Sequence, residues 1–444
     1  MTLDHLQNAL RFAQNRPSSK LFRDYLLRRL PKKEVPISID SIPFLCHDET
    51  MTDLNVKLDF STGGGCVLFV SPTGAGKTYA MRGLLGDLFN SGYACVDLSS
   101  IKNDFYWSMY SVQNKFKRWL PFWRNAEQLP IFPFVPRYIQ KKQGRVRGFS
   151  QMKIGQLSIR DIQAEDLWKS CFNLSPEEPK AHLIQYLWSG RKPKNWEDLI
   201  KKIQKINTNL ARKLQIKEKE IKFRLSTTSS LLRQIGRMKT AEVFGDNHPM
   251  NFVDLINKDW IPSLCFNWAR GPEMKKYHSI YISAILRQIH NAKKEGKISR
   301  KRIVYFFDDI ATTACPRLQN PACKDIILND IASLGRQLGE YIVAGTQTLS
   351  QIPDELIEQA HYIIFFEEIS GEELRRIAKI RKRPYSLVRR VMGVWKDGSG
   401  NWHSGKFRNK KIRDGRRTCI VWHKSGRSNF GWVPAPSTKH KEQE

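Results

Sequence analysis

The hydrophobic positions of the chain form five short apolar runs, which predict the strands of a parallel sheet. A strand covered on both faces is apolar at nearly every position, because neither face contacts water. Each run fits this description and lacks the alternation of a strand with one solvated face. The runs are Val67 to Val70, Tyr93 to Leu98, Ile303 to Phe307, Tyr341 to Ala344 and Tyr362 to Phe366.

Two segments between these runs have the spacing of amphipathic helices, in which apolar residues recur every three or four positions. Each segment is followed by a glycine, Gly296 or Gly339, as helix ends commonly are. Strands that alternate with helices predict an α/β layer architecture. The first apolar stripe consists of Ile282, Ile285, Leu286 and Ile289. The second consists of Ile327, Ile331, Leu334 and Leu338.

Composition divides the chain into five segments. The strand and helix pattern occupies residues 56–110 and 246–370, and a helical segment, 1–55, precedes it. Residues 111–245 have Lys-rich helical patterns, which predict a mainly helical basic insertion. Residues 371–444 carry 20 Lys and Arg against 6 Asp and Glu. Their short runs are separated by Asp-Gly and Gly-rich turns, which predicts a small basic, β-rich C-terminal module.

Four tryptophans lie among the cations of this C-terminal module. Basic residues interleaved with aromatic rings suit the phosphates and bases of a nucleic acid. The alternative is that the tryptophans form a small core of the module's own while the cations are solvated. Both interpretations stay open. The four residues are Trp395, Trp402, Trp422 and Trp432.

The charge of the whole chain points to an anionic partner. In 444 residues, 74 Lys and Arg face 43 Asp and Glu, which gives a net charge of +31. A field of this sign attracts polyanions, so a nucleic acid contacted through its backbone is the first expected partner. An acidic lipid surface and a simple role in solubility are the alternatives.

Cysteine usage and hydropathy indicate the compartment. The eight cysteines are scattered without a CxxC pair, which predicts reduced thiols in the core. No apolar run approaches the roughly 18 residues that a membrane span needs. The N-terminus, MTLDHLQNALRFAQN, has helical spacing and an acid at Asp4, unlike a signal peptide. We therefore expect a protein that folds in a cytosol-like, cytoplasmic compartment.

The segment CVLFVSPTGAGKTYAMRGLL places a glycine turn between an apolar strand and a predicted helix. Such a turn lets backbone N–H groups point inward as a nest for phosphate, and the helix N-terminus adds partial positive charge. A lysine there reaches the terminal phosphates of ATP, and the next hydroxyl binds Mg²⁺. Only Ser71 departs from the P-loop pattern, which usually begins with glycine. The predicted nucleotide-binding residues are Thr73, Gly74, Ala75, Gly76, Lys77 and Thr78.

Two acids follow the apolar strand of KRIVYFFDDIATTA. In P-loop enzymes an acid at this place holds the magnesium shell, and the next acid orients or deprotonates the attacking water. Asp308 is therefore predicted to bind the metal together with Thr78, and Asp309 to act on water. The alternative is that both aspartates merely cap the following turn.

Polar side chains also follow the strand of YIVAGTQTLSQIP. A glutamine at the carboxyl end of this strand can hydrogen-bond both the γ-phosphate and the attacking water. Gln347 is therefore predicted to sense intact ATP, with Thr346 and Thr348 as candidate helpers. The alternative is an amide that only satisfies loop backbone groups.

Arg336 lies on the helix before that strand and off its predicted apolar stripe. An exposed arginine near a strand edge is placed to reach the γ-phosphate bound by a neighbouring subunit. An ordinary surface arginine is the alternative.

The order of these motifs resembles the FtsK/HerA superfamily of ring-forming, ATP-driven DNA translocases. The resemblance covers about residues 60–100 and 255–370. It rests on SPTGAGKT, the strand that ends near Asp97, FFDD and GRQLGEYIVAGTQTLSQIPDELIEQAHYIIFF. The two adjacent aspartates and the Gly-Arg pair before the glutamine strand are most similar to genome-packaging ATPases of large DNA viruses and related mobile elements.

The resemblance implies an α/β P-loop NTPase fold of the RecA-like type and a ring, typically a hexamer, that threads double-stranded DNA. It also implies ATP and Mg²⁺ as ligands. Lys77 and Thr78 match the phosphate-loop pair, Asp308 the magnesium acid, Gln347 the sensor and Arg336 the usual arginine. At position 309 many members have glutamate, and the shorter aspartate requires a closer water.

The leading functional hypothesis is a genome-packaging ATPase, for which a capsid or portal component would be a partner. One alternative is a conjugative coupling ATPase, which normally has membrane helices or a membrane partner. The other is a DNA-binding assembly protein that uses ATP only as a conformational ligand.

Overall fold

The computed structural model of the chain describes most of the two predicted core segments and parts of the remainder. The residues described are 41–45, 56–60, 65–72, 74–100, 127–139, 152–172, 174–206, 225–245, 247–266, 272–299, 302–317, 322–366, 370–391, 394–396, 402–404 and 417–433.

Fourteen strands occur in these residues. They are β1 (Ser41–Leu45), β2 (Val56–Asp59), β3 (Gly65–Val70), β4 (Ala94–Ser100), β5 (Ile131–Pro136), β6 (Lys153–Gly155), β7 (Ile261–Cys265), β8 (Ile303–Phe307), β9 (Glu340–Thr346), β10 (Ala360–Phe365), β11 (Val394–Lys396), β12 (Trp402–Ser404), β13 (Arg417–His423) and β14 (Ser428–Val433).

Ten strands form one sheet in the order β14-β13-β10-β3-β9-β8-β4-β7-β5-β6. The eight strands from β10 to β6 are parallel, and β13 and β14 add antiparallel neighbours at one edge. Strands β1 and β2 form a separate antiparallel pair, as do β11 and β12. The five predicted runs correspond to β10, β3, β9, β8 and β4, which are consecutive neighbours in the sheet.

Both faces of the parallel sheet are covered, which explains the unbroken apolar runs. In β3, Cys66, Leu68 and Val70 contribute to one hydrophobic core. Val67 and Phe69 contribute to the other, because successive side chains of a strand point to opposite faces. The predicted α/β fold class with a parallel sheet is confirmed.

Helices pack on the sheet: the helix after β3 contributes to the second core, and most of the others contribute to the first. They are α1 (Lys77–Asn90), α2 (Pro179–Ser189), α3 (Trp196–Gln204), α4 (Leu225–Thr240), α5 (Phe252–Asn257), α6 (Pro272–Lys294), α7 (Ile310–Thr313), α8 (Ala322–Asp325), α9 (Ser333–Leu338), α10 (Asp354–Gln359), α11 (Gly371–Ile380) and α12 (Tyr385–Val391). A π-helical segment, Ile326–Ala332, connects α8 to α9.

This π-helical segment changes one of the two predicted stripes. All four residues of the first stripe are buried in α6, and Ile327 and Ile331 of the second are buried as well. Leu334, however, is 55% exposed. A π-helix has more residues per turn than an α-helix, so the face presented by later residues rotates. The prediction that Leu334 continues the stripe is therefore wrong.

The described residues of the predicted insertion include helices, as expected, but they also extend the main sheet. Strands β5 and β6 lie beyond β7, and helices α2, α3 and α4 follow. A buried network joins the insertion to α6, because Asp166 accepts hydrogen bonds from Ser283 and Arg287. Lys169 also pairs with Asp325 at 2.6 Å. The limits of the insertion at 111 and 245 stay predictions.

In the C-terminal segment, the described residues from β11 onward lie mostly in strands, and two of these strands join the main sheet. Its residues 371–391 form α11 and α12, and β13 pairs with β10. Trp422 is buried, with the Arg381 guanidinium 4.8 Å from its ring centre. This tryptophan therefore belongs to the core and does not present a base-stacking surface. The side chains of Trp395, Trp402 and Trp432 lie outside the described residues.

Six cysteines in the described part of the chain are free and buried, as predicted for reduced thiols. Burial raises the pKa of Cys265 and of Cys323 to about 12. These thiols are therefore protonated at neutral pH and serve as small core residues. Among the described helices, none has the length and apolar content required to cross a bilayer.

Candidate functional site

The three polar motifs meet at one edge of the sheet because their strands are neighbours. β9 lies between β3 and β8, with Val70 opposite Thr346 and Phe307 opposite Ala344. The carboxyl ends of parallel strands share an edge, where ligands of open α/β sheets bind. The residues that follow these three strands therefore surround a common space.

The glycine turn between β3 and α1 has the backbone geometry of a phosphate-binding loop. Gly74 has φ of 90° and Gly76 has φ of 113°, a region that favours glycine. Ser71 continues the sheet, since its N–H donates to the Thr346 carbonyl at 3.2 Å. Helix α1 begins at Lys77 and carries no acid in its first turn, which leaves its positive N-terminal end available to an anion. Thr73 lies outside the described residues.

The Lys77 side chain packs closely against β9 because Gly345 has no side chain there. Lys77 is only 8% exposed. A Cβ atom at position 345 would lie 2.9 Å from the Lys77 Cδ and 2.3 Å from the Asp308 carbonyl oxygen. Gly345 therefore lets the lysine stem and the β8 end approach the same point. Sequence reasoning assigned no role to Gly345, although a glycine inside a buried strand often marks such an approach.

Thr78 and Asp308 form a pair of oxygen ligands. The Thr78 hydroxyl donates to Asp308 Oδ1 at 2.7 Å, although the two residues are 230 positions apart. Asp308 is buried. A hydroxyl and a carboxylate beside a phosphate-binding loop are the donors that Mg²⁺ takes in such sites, so both residues fit that ion. Their pairing also means that Asp308 does not merely cap the next turn.

Asp309 carries an unused carboxylate oxygen. Its Oδ1 is buried and has no hydrogen-bonding partner in the described structure, whereas Oδ2 lies 3.5 Å from Gln347 Nε2. Asp309 precedes α7, but its side chain makes no capping hydrogen bond there. The capping interpretation therefore fails for Asp309 too. A carboxylate oxygen in this state is suited to bind and deprotonate a water.

Gln347 is exposed at the end of β9, and its amide faces Asp309 instead of loop backbone. The distance of 3.5 Å is at the outer limit of a hydrogen bond. Thr346 is buried, and its hydroxyl donates to the Thr348 carbonyl at 2.8 Å. The Thr348 hydroxyl contacts Ser350 Oγ at 3.1 Å. Both threonine hydroxyls thus shape the turn, while Gln347 projects from it.

Arg336 lies in α9, and its side chain lies outside the described residues. Leu334 is exposed, so α9 does not present the face that the predicted stripe assumed. The stripe therefore does not indicate the direction of the Arg336 side chain. Its role toward a neighbouring subunit stays a prediction.

Solved structures with a similar arrangement of elements include two kinds of protein. The genome packaging NTPase B204 from Sulfolobus turreted icosahedral virus 2, in complex with ATP-gammaS, aligns over 84% of this chain and 98% of its own, with 10% identity and a TM-score of 0.35. The bacterial conjugative coupling protein TrwBdeltaN70, unbound, aligns over 88% of this chain and 89% of its own, with 13% identity and a TM-score of 0.49. At these identities the similarity assigns no role to any residue.

No model of a protein family matches the chain, and no curated protein sequence matches it either.

Proposed function

We propose that this chain is an ATP-driven translocase of double-stranded DNA that packages a genome through a ring of subunits. The observation that carries the proposal is the meeting of three motifs at one sheet edge. Lys77 lies beside Gly345, Thr78 bonds Asp308, and Asp309 faces Gln347. A net charge of +31 supports a polyanionic substrate.

Each residue of this edge has a task in ATP hydrolysis. Lys77 and the backbone N–H groups of the glycine turn bind the phosphates of ATP. Thr78 and Asp308 would hold Mg²⁺, and the bound ion would supply positive charge beside the phosphate oxygens. Asp309 Oδ1 orients the attacking water and accepts its proton. Gln347 bonds Asp309 and reaches the γ-phosphate, so its position depends on whether that phosphate is present.

A ring of subunits would complete the ATP site and would transmit the movement produced by hydrolysis to DNA. We propose that six subunits assemble, as the motif order implies, and that Arg336 reaches the ATP of a neighbour. Charge-assisted contacts to γ-phosphate oxygens stabilise the transition state. The basic surface would contact DNA mainly through its phosphates, so binding should weaken steeply as salt concentration rises.

The first test is the effect of DNA on ATP turnover. We expect double-stranded DNA to stimulate phosphate release, because a translocase couples hydrolysis to movement along its track. A Lys77→Ala variant should release no phosphate above background with or without DNA, which excludes a contaminating ATPase. Equal wild-type rates with and without DNA would favour the ATP-gated assembly protein. Stimulation together with binding to a membrane protein of a conjugation system would favour a coupling ATPase.

The second test concerns Gln347. Gln347→Ala should bind an ATP analogue with wild-type affinity, because Lys77 and the glycine turn remain. It should lose most DNA-stimulated turnover and translocation, because the amide between Asp309 and the γ-phosphate is gone. The matched control is Gln351→Ala, since that glutamine is also exposed and lies four residues along the same loop. If Gln347→Ala translocated DNA like the control, the sensor assignment would be wrong.

A further inference from the structure

Helix α11 holds the loop that follows Gln347. This loop, residues 349–354, is called here the sensor loop. Glu373 accepts a hydrogen bond from the Leu349 N–H at 2.7 Å. Arg376 donates to the Ile352 carbonyl at 2.7 Å and to the Asp354 carboxylate at 2.9 Å, and it also contacts the Leu349 carbonyl. Two side chains of α11 thus bind both ends of the sensor loop.

The contacts of Arg376 with the sensor loop are charge-assisted, and the arginine side chain is largely buried. Arg376 has a side chain only 13% exposed, and its planar guanidinium spreads several donors over one loop. Hydrogen bonds that involve an ionised group are shorter and stronger than neutral ones. Leu349 follows Gln347 by two residues, so a displacement of α11 would move the Gln347 amide relative to Asp309.

The solvent-facing side of α11 and the turn after it are cationic. Arg375, Lys379, Lys382 and Arg383 are all exposed. On a helix with 3.6 residues per turn, positions 375 and 379 share a face, and Lys379 also neighbours Arg376, which lies three positions before it. Within the described part of the chain, none of the four cations forms an ion pair with a carboxylate. We call these four residues the α11 cationic face.

Helix α11 and two of these cations are anchored by contacts with neighbouring elements. Leu374 and Ile377 bury the inner stripe of α11. The Tyr385 ring of α12 lies 5.6 Å from the Arg375 guanidinium. Arg383 donates to the carbonyls of Lys424 and Ser425 between β13 and β14. Residues 371–391 include 8 Lys and Arg against 2 Asp and Glu, and Glu373 is occupied by the sensor loop.

We propose that the α11 cationic face binds the phosphate backbone of DNA and that α11 transmits this contact to the sensor loop. The inference rests on the proposed function for its coupling step, whereas the binding surface can be tested without ATP. A cluster of exposed cations that pair with none of the described carboxylates suits phosphates. A lipid surface fits less well, because membrane-bound helices insert an apolar face and the apolar stripe of α11 is buried.

The binding step is tested with Lys379→Gln/Lys382→Gln and a duplex oligonucleotide. Each phosphate contact contributes about −0.9 to the slope of log K against log salt concentration, so the slope of the double variant should be less negative by about 2. The matched control is Lys258→Gln/Lys294→Gln, which removes the same charge from exposed positions elsewhere. The control should bind DNA like wild type. Equal slopes for the two double variants would overturn the DNA surface.

A second arm distinguishes lipid from DNA. Vesicles of phosphatidylcholine and phosphatidylserine are mixed with the same two double variants. If Lys379→Gln/Lys382→Gln reduced vesicle binding and left DNA binding unchanged, the surface would be a lipid site and the proposal would be wrong. Loss of DNA binding alone supports it.

The transmission step is tested with Arg376→Gln and, if that variant is unstable, with Glu373→Gln. We expect a wild-type salt slope for DNA binding but a reduction of about tenfold or more in the stimulation of ATP turnover by DNA, because the surface is intact and its link to Gln347 is lost. Arg376→Lys should restore only part of the stimulation, since lysine lacks the fork of donors. Wild-type stimulation in both Arg376→Gln and Glu373→Gln would overturn the transmission step. If wild type itself showed no stimulation, the proposed function would fail, and the salt slopes would still decide the DNA surface.

Discussion

Gly345→Ala is expected to lower ATP turnover by at least about 100-fold, since a misplacement near 1 Å of reacting groups has effects of that size. The added Cβ would stand 2.3 Å from the Asp308 carbonyl oxygen, a backbone atom at the end of β8 that cannot rotate away. It would also stand 2.9 Å from Lys77 Cδ. Either the lysine or the β8 end must move, and both belong to the phosphate site.

The matched control for this variant is Gly236→Ala. Gly236 lies inside α4, where a Cβ would meet no atom within 4 Å. Alanine in a helix interior should stabilise the fold by about 0.5 to 1 kcal/mol relative to glycine. Phosphate release, analogue affinity and thermal unfolding should be measured for both variants. A folded Gly345→Ala protein with wild-type turnover would show that the Lys77 stem does not depend on this gap.

The contact between Gly345 and Lys77 could not be predicted from the sequence. The apolar runs located β3, β8 and β9 because buried parallel strands are apolar on both faces, and the polar residues after them gave the site. The order of the strands in the sheet depends on packing between distant segments. Only that order brings Gly345 beside Lys77, which is 268 positions earlier in the sequence.

Two of the places where pattern and structure differ have local causes. Leu334 leaves the predicted stripe because a π-helical segment precedes it, and a π-helix does not keep the 3.6-residue period used for the prediction. Strand β13 joins the main sheet because β10 presents an edge beside β3, and an edge strand favours pairing. Neither cause is visible in composition or spacing.

The contacts of α11 were also beyond reach of the sequence. In the sequence, Glu373 and Arg376 have the pattern of ordinary charges on an amphipathic helix. Their hydrogen-bonding partners lie about 22 to 27 positions earlier, so the helical pattern does not indicate them. Their importance comes from the loop that they bind, since it follows Gln347. A surface charge pair contributes little by itself, whereas a guanidinium that bonds several loop groups fixes a geometry.

Asp309→Asn should reduce ATP turnover by about 10²- to 10⁴-fold, the range that loss of a general base produces. Asparagine has nearly the same shape, and its carbonyl oxygen can still accept from Gln347 Nε2. The amide NH2 group then takes the place of the unpaired Oδ1, so the charge and the basic oxygen at that position are lost. Affinity for an ATP analogue with Mg²⁺ should therefore stay close to wild type, because Lys77 and the Thr78–Asp308 pair are intact.

Two comparisons make this result specific to Asp309. Asp308→Asn should instead raise the Mg²⁺ concentration needed for half-maximal turnover, since it changes the ion's ligand. Asp309→Asn combined with Gln347→Ala should lose little more turnover than Asp309→Asn alone, because groups that act on one water are not additive. Full additivity would show that Asp309 and Gln347 do not act on the same water. Unchanged turnover in Asp309→Asn would remove the base from the mechanism, and the water would have to be activated by the γ-phosphate or another side chain.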